Sequence, residues 1–119
     1  EMNGFAKSVG FPTLDYPNMC WQMKKWFDTR GIKYGLGGKI GSAFATENSP
    51  NGGGADLAIM TIYNHLLVYG MLVYSTGVDY GRPPIHIGPT LVRERMSEHD
   101  ANCRLFGHRI ATKIHELFM

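Results

Sequence analysis

Two short apolar runs joined by one helical stretch constrain this chain more than any other feature. Lys39–Thr46 (Lys-Ile-Gly-Ser-Ala-Phe-Ala-Thr) and Met71–Ser75 (Met-Leu-Val-Tyr-Ser) read as strands, and Ala55–Tyr69 reads as a helix that Gly70 ends in the C′ position. A strand, a helix and a second strand argue for parallel pairing through a right-handed crossover. The pattern extends in both directions. Gly4–Gly10, with Phe5, Ala6 and Val9, is predicted as a further strand ahead of Gly10-Phe-Pro-Thr13. Met19–Phe27 is predicted as a helix with Met19, Met23, Trp26 and Phe27 on one face, Lys24 and Lys25 opposite, and Asn18 as its cap. A last helix follows Ser97 and Asp100, which resemble a capping box, and carries Cys103, Phe106, Ile110, Ile114 and Leu117 at helical spacing. The Met and aromatic stripes of the three helices are assigned to the core. Short apolar strands alternating with helices predict an α/β fold: a doubly wound parallel sheet covered on both faces.

Length and charge narrow the function. The chain has 119 residues, the size of one domain, with 44% hydrophobic and only 18% charged residues. So low a charge content, with seven Met and two Trp, suggests surface meant to be covered. Twelve basic against ten acidic residues give a net charge of +2, and the basic residues are scattered. Neither a nucleic-acid footprint nor a polybasic membrane patch is visible. Cys20 and Cys103 stand far apart without zinc spacing, so two reduced thiols in a reducing, cytoplasmic setting are expected, and no metal. The run Leu66–Tyr74 is too short to span a bilayer, and no signal peptide is expected.

Ligands of doubly wound domains bind beyond the carboxyl ends of the strands. The most loop-like stretches, Gly10–Asn18, Thr46–Gly54 and Thr76–Pro89, are placed there by the predicted strands. The site is therefore expected among them.

Several stretches then resemble one family. Gly10-Phe-Pro-Thr13, Asn18-Met19 and Gln22-Met23-Lys24-Lys25-Trp26-Phe27-Asp28 are similar to the third strand, flavin loop and third helix of the Trp-repressor-binding-protein-like NAD(P)H:quinone oxidoreductases. Gly38–Phe44 is similar to their fourth strand, and Thr46 through Gly52-Gly53-Gly54 to their second flavin loop. Leu66–Met71 resembles the end of the next helix, and Glu98–Phe118 the terminal helix. The resemblance implies a flavodoxin-like fold with strand order 2-1-3-4-5. Residues 1–119 would form one incomplete domain, holding strands 3, 4 and 5 without the first two strands and the FMN phosphate loop. The strand Gly4–Gly10 would then have an open edge, to be covered by a second copy of the chain or by a partner.

The implied cofactor is FMN, with NAD(P)H as cosubstrate and a quinone or other small molecule as electron acceptor. Pro12, Thr13, Tyr16 and Asn18 would line one side of the isoalloxazine ring, and Thr46, Glu47, Asn48, Gly52, Gly53 and Gly54 the other. Glycines there let backbone approach a flat ring. Tyr69 and His86 would face the substrate pocket. No residue is marked as catalytic, since the cofactor carries the chemistry. Two alternatives stay open. An electron-carrier flavodoxin would bind the same cofactor without a nicotinamide pocket, although such carriers are usually strongly acidic. A flavin-free structural or interaction subunit would keep the partial fold alone.

Overall fold

The computed structural model describes residues 17–119. The strand predicted over Gly4–Gly10, and the edge it would offer a partner, lie outside them. The described chain runs α1 (Trp21–Thr29), a 3₁₀ turn (Gly31–Tyr34), β1 (Ile40–Gly41), β2 (Ala45–Glu47), α2 (Ala55–Val68), β3 (Leu72–Val73), β4 (Thr90–Val92), a second 3₁₀ turn (Arg93–Arg95) and α3 (Met96–Phe118).

The strands form two parallel ladders in succession along the run 40–47. Ile40 pairs with Leu72 and Gly41 with Val73. Ala45 then pairs with Thr90, Thr46 with Leu91 and Glu47 with Val92. The predicted last strand, Met71–Ser75, is thus only the first half of a split element. Its second half, Thr90–Val92, lies within residues Gly77–Glu94, which the sequence reads as one long Gly/Pro-rich loop. Residues 74–89 leave the ladder and return to it, crossed by an antiparallel bridge between Gly77 and His86. The return is tight: a Cβ on Gly88 would stand 2.4 Å from the Ala43 carbonyl oxygen.

The core lies between this sheet and α2. Gly41 and Ala43 are buried on one face of the run 40–47, while Phe44 on the other face is 63% exposed. That is the period-two alternation of a strand with one face packed. Ala43 clusters with Ile59, Ile62, Tyr63 and Leu66 of α2 and with Met19 and Phe27. On β4 the adjacent residues Leu91 and Val92 are both buried, so both faces are covered there, and α2 and α3 each pack against this strand. Layering on both faces is the doubly wound arrangement, with parallel strands as expected.

Helix ends follow the sequence unevenly. Gly70 has φ 74° and ends α2 as predicted. Its N–H donates to Leu67 O at 2.9 Å and Met71 N–H to Leu66 O at 3.0 Å, the two bonds of a Schellman motif. Asn18 does not cap α1; Cys20 occupies the N-cap position, and the helix has no side-chain cap. The Ser97/Asp100 box is not made either. The helix α3 begins at Met96, and Asp100 instead pairs with Arg104 one turn later at 2.8 Å. The predicted apolar stripe of α3 is only partly used: Phe106 is buried, but Ile114 and Leu117 are exposed and Arg109 is buried in their stead. On α1, Phe27 is buried while Trp26 lies outward, stacked on Tyr34 of the 3₁₀ turn at 5.9 Å. Cys20 and Cys103 are not joined by a disulfide.

The excursion 74–89 is tied down from both sides. Arg109 of α3 donates from Nη1 to Pro83 O at 3.0 Å. The Tyr80 hydroxyl donates to Glu116 at 3.1 Å, and the Lys113 ammonium lies 4.9 Å from the centre of the Tyr80 ring. From the opposite helix, the Tyr63 hydroxyl donates to the Ile87 carbonyl. Burial raises the Tyr63 phenol above its ordinary value. Above pH ~10 the unfolded phenol ionises while the folded one resists. The stability this confers is complete below that pH and is lost as pH rises through the folded value. Tyr63→Phe should therefore show a shallower alkaline loss of stability than the parent, read from urea midpoints on either side of pH ~10.

Candidate functional site

The carboxyl edge of the sheet is where β2 ends at Glu47, beside Val92 at the end of β4. The loop 48–54 leaves from this edge and enters α2. All three of its glycines are set by geometry. Gly54 has φ 87°, and a Cβ there would meet Pro17 Cα at 3.1 Å. A Cβ on Gly53 would stand 2.8 Å from Glu47 Cβ. The triglycine is therefore a built turn rather than a linker. Its first member, Gly52, has φ 88° and faces open space among the described residues.

Glu47 organises this turn. Its Oε2 accepts the Gly53 N–H at 2.7 Å and the Ala55 N–H at 3.1 Å. Gly54, at the N-cap of α2, has no side chain to cap the helix. The carboxylate on β2 supplies the missing acceptor, and negative charge suits the positive end of a helix. The segment before α1 is fixed to the same helix, since Met19 N–H donates to Thr61 Oγ1 at 3.0 Å. Residues 17–19 and 52–54 are thus brought together at one edge.

The predicted site residues divide accordingly. Asn18, Thr46, Asn48, Gly52, Gly53 and Gly54 lie in or beside this edge, with Asn18, Thr46 and Asn48 exposed. Glu47 lies there too, turned inward on its own loop. Pro12, Thr13 and Tyr16 lie outside the described residues. Tyr69 is set apart: it is the C-cap of α2, at the amino end of the sheet. The fourteen residues of α2 separate it from Gly54 by about 20 Å at the rise of an α-helix. Its hydroxyl donates to the Phe27 carbonyl, and its ring lies 5.8 Å from that of Phe27, which is a packing role. His86 belongs to the excursion, with φ 60° and its backbone paired to Gly77.

The cap made by Glu47 was not anticipated from sequence. The only signal for it was an acidic residue at a strand end ahead of a helix whose N-cap is glycine. Buried Arg109 gave no signal, because it interrupts an apolar stripe. No helix among the described residues is long and apolar enough to cross a membrane.

The parallel, doubly covered layering and the sequence similarities below place the chain in the flavodoxin-like family. No protein-family model matches it. It is 49% identical over 109 residues to a flavodoxin of Clostridium saccharobutylicum, covering 92% of this chain and 66% of that protein. It is 34% identical over 108 residues to a flavodoxin of Aquifex aeolicus, covering 87% and 57%. It is 39% identical over 78 residues to an NAD(P)H dehydrogenase (quinone) of Geotalea daltonii, covering 63% and 36%. The chain thus spans 66% of the length of the first relative and less of the other two.

Proposed function

We propose that this chain is the ring-binding part of an FMN-dependent electron-transfer protein of flavodoxin type. The observation that carries the proposal is the edge where Pro17 meets Gly54, with Asn18 exposed beside it and open space before Gly52. These residues fit an isoalloxazine ring. Backbone without side chains allows a flat ring close contact, and Asn18, Thr46 and Asn48 offer amide and hydroxyl partners for its polar rim. The N-terminus of α2 does not suit the FMN phosphate, because its N–H groups at Gly53 and Ala55 already donate to a carboxylate.

FMN, when bound, supplies the electron-transfer chemistry. The chain's contribution is to orient the ring between two backbone segments and to keep water from its buried face. The flavodoxin relatives, which match most of the chain, favour a carrier. The quinone dehydrogenase relative favours a second reading, hydride transfer from NAD(P)H through FMN to a quinone.

The test is a visible spectrum after incubation with FMN and removal of free cofactor. Retained absorbance near ~450 nm, a property of the flavin itself, is the expected result. A colourless protein overturns both readings in favour of a flavin-free subunit. Bleaching by NAD(P)H without air, reversed by a quinone, selects the oxidoreductase; indifference to NAD(P)H selects the carrier.

A further inference from the structure

We propose that Glu47 is a positioning residue for the flavin ring: by holding the turn 52–54 it shapes the ring's seat, and by its charge it biases that seat towards the oxidised flavin. This rests on the FMN reading above.

The positioning follows from where Glu47 is anchored and what it holds. It is the last residue of β2 and pairs with Val92, so its backbone belongs to the sheet and not to the loop. Its Oε2 bridges Gly53 and Ala55, one residue on each side of Gly54. A single carboxylate oxygen thus fixes the residue before and the residue after the one that touches Pro17. The other side-chain bond within the loop, Asn51 N–H to Ser49 Oγ, is longer at 3.2 Å. A loop of three glycines has the largest conformational entropy to lose on ordering. If a ligand has to order that loop, affinity falls; Glu47 orders it beforehand.

The electrostatic part follows from the sign of the group. A flavin gains negative charge on reduction when it is not protonated, and a carboxylate nearby opposes that gain. Position and charge are separable. Glutamine keeps an oxygen acceptor at the same reach and removes the charge; alanine removes both.

The test uses the full chain with FMN as the probe, in three forms: parent, Glu47→Gln and Glu47→Ala. Amide exchange at Gly53 and Ala55 is measured without flavin, and affinities for oxidised and reduced FMN are measured by titration. In Glu47→Ala, exchange at both amides should be at least about tenfold faster and oxidised FMN should bind about tenfold more weakly, the scale of a lost charge-assisted hydrogen bond. Glu47→Gln should keep amide protection and oxidised affinity within about threefold. Its ratio of reduced to oxidised affinity should rise by about threefold to tenfold, because only the charge has gone. That ratio is indifferent to a purely structural role. If the parent binds FMN and Glu47→Ala binds it equally well, this proposal falls and the FMN reading stands. If the parent binds no FMN, both fall. If Glu47→Ala does not fold, Glu47→Gln decides alone, and an unchanged ratio overturns the proposal.

Discussion

Replacing Ile59 with alanine should lower the free energy of unfolding by about 3–4 kcal/mol, towards the upper part of the range for buried aliphatic truncations. Ile59 has 0% of its surface exposed and is the largest side chain so enclosed among the described residues. It lies on the face of α2 that meets the sheet, with Ile62, Tyr63 and Leu66, across from Ala43. Its Cδ1 is 3.2 Å from where a Gly88 Cβ would be, so it also supports the returning chain of the excursion. The walls of the resulting cavity are a strand, a helix and a tight backbone crossing, which collapse poorly, and the cost of a cavity depends on how far its walls relax. Urea unfolding followed by far-ultraviolet circular dichroism would measure the loss. A value below about 1 kcal/mol would mean that the core closes around the deletion. Val68→Ala on the same helix is the control: it is 83% exposed and should change stability by no more than about 0.5 kcal/mol.

Gly88→Ala should destabilise the fold by about 2–4 kcal/mol, through strain and overpacking rather than a cavity. Gly88 has φ 152°, and its added methyl would fall 2.4 Å from the Ala43 carbonyl oxygen. That neighbour is strand backbone, which cannot swing aside as a side-chain tip can. Relief requires the chain at 88–89 to lift, and the next bond along is Ala45 N–H to Pro89 O at 3.1 Å. Amide exchange at Ala45 should therefore accelerate along with the fall in global stability. Unchanged exchange at Ala45 would mean that the strain is absorbed elsewhere.

The parts of this fold legible in the sequence are those decided locally. Ala55–Val68 followed by Gly70 needs only helical spacing and a left-handed residue, and the structure places the helix end where that reasoning does. The split of the last strand was not legible. Thr90-Leu-Val92 is an apolar, partly β-branched run, but Gly88-Pro89 before it and Arg93-Glu-Arg95 after it mark a loop, and only pairing with Ala45–Glu47 makes it a strand. Caps failed for a related reason. Asn18 and Ser97 have the right side chains, yet the first is drawn into the contact with α2 made by its neighbour Met19, and the second falls inside the helix it was expected to open. Of the site, the loop 48–54 was readable from its glycines. The separation of Tyr69 was readable too, in principle: a helix that starts at the carboxyl end of one parallel strand must finish at the amino end of the next. The role of Glu47 was not, because it depends on a loop folding back on the strand that precedes it.

The excursion 74–89 leaves the ladder after β3 and re-enters at β4, and each half of the split strand keeps its own register with the run 40–47. It is held to the rest of the fold by Tyr74, Tyr80, Pro83 and Ile87 and, on its return, by Gly88 and Pro89, and the Gly77–His86 pairing closes its base. Lengthening a closed loop costs little, about 0.6 kcal/mol for each doubling. The carboxyl edge is held by Glu47 and Val92, which lie outside the excursion. Peptide grafted near Val78 and Asp79 should leave the edge in place, which makes the excursion a tolerant attachment point for a tag or a tether.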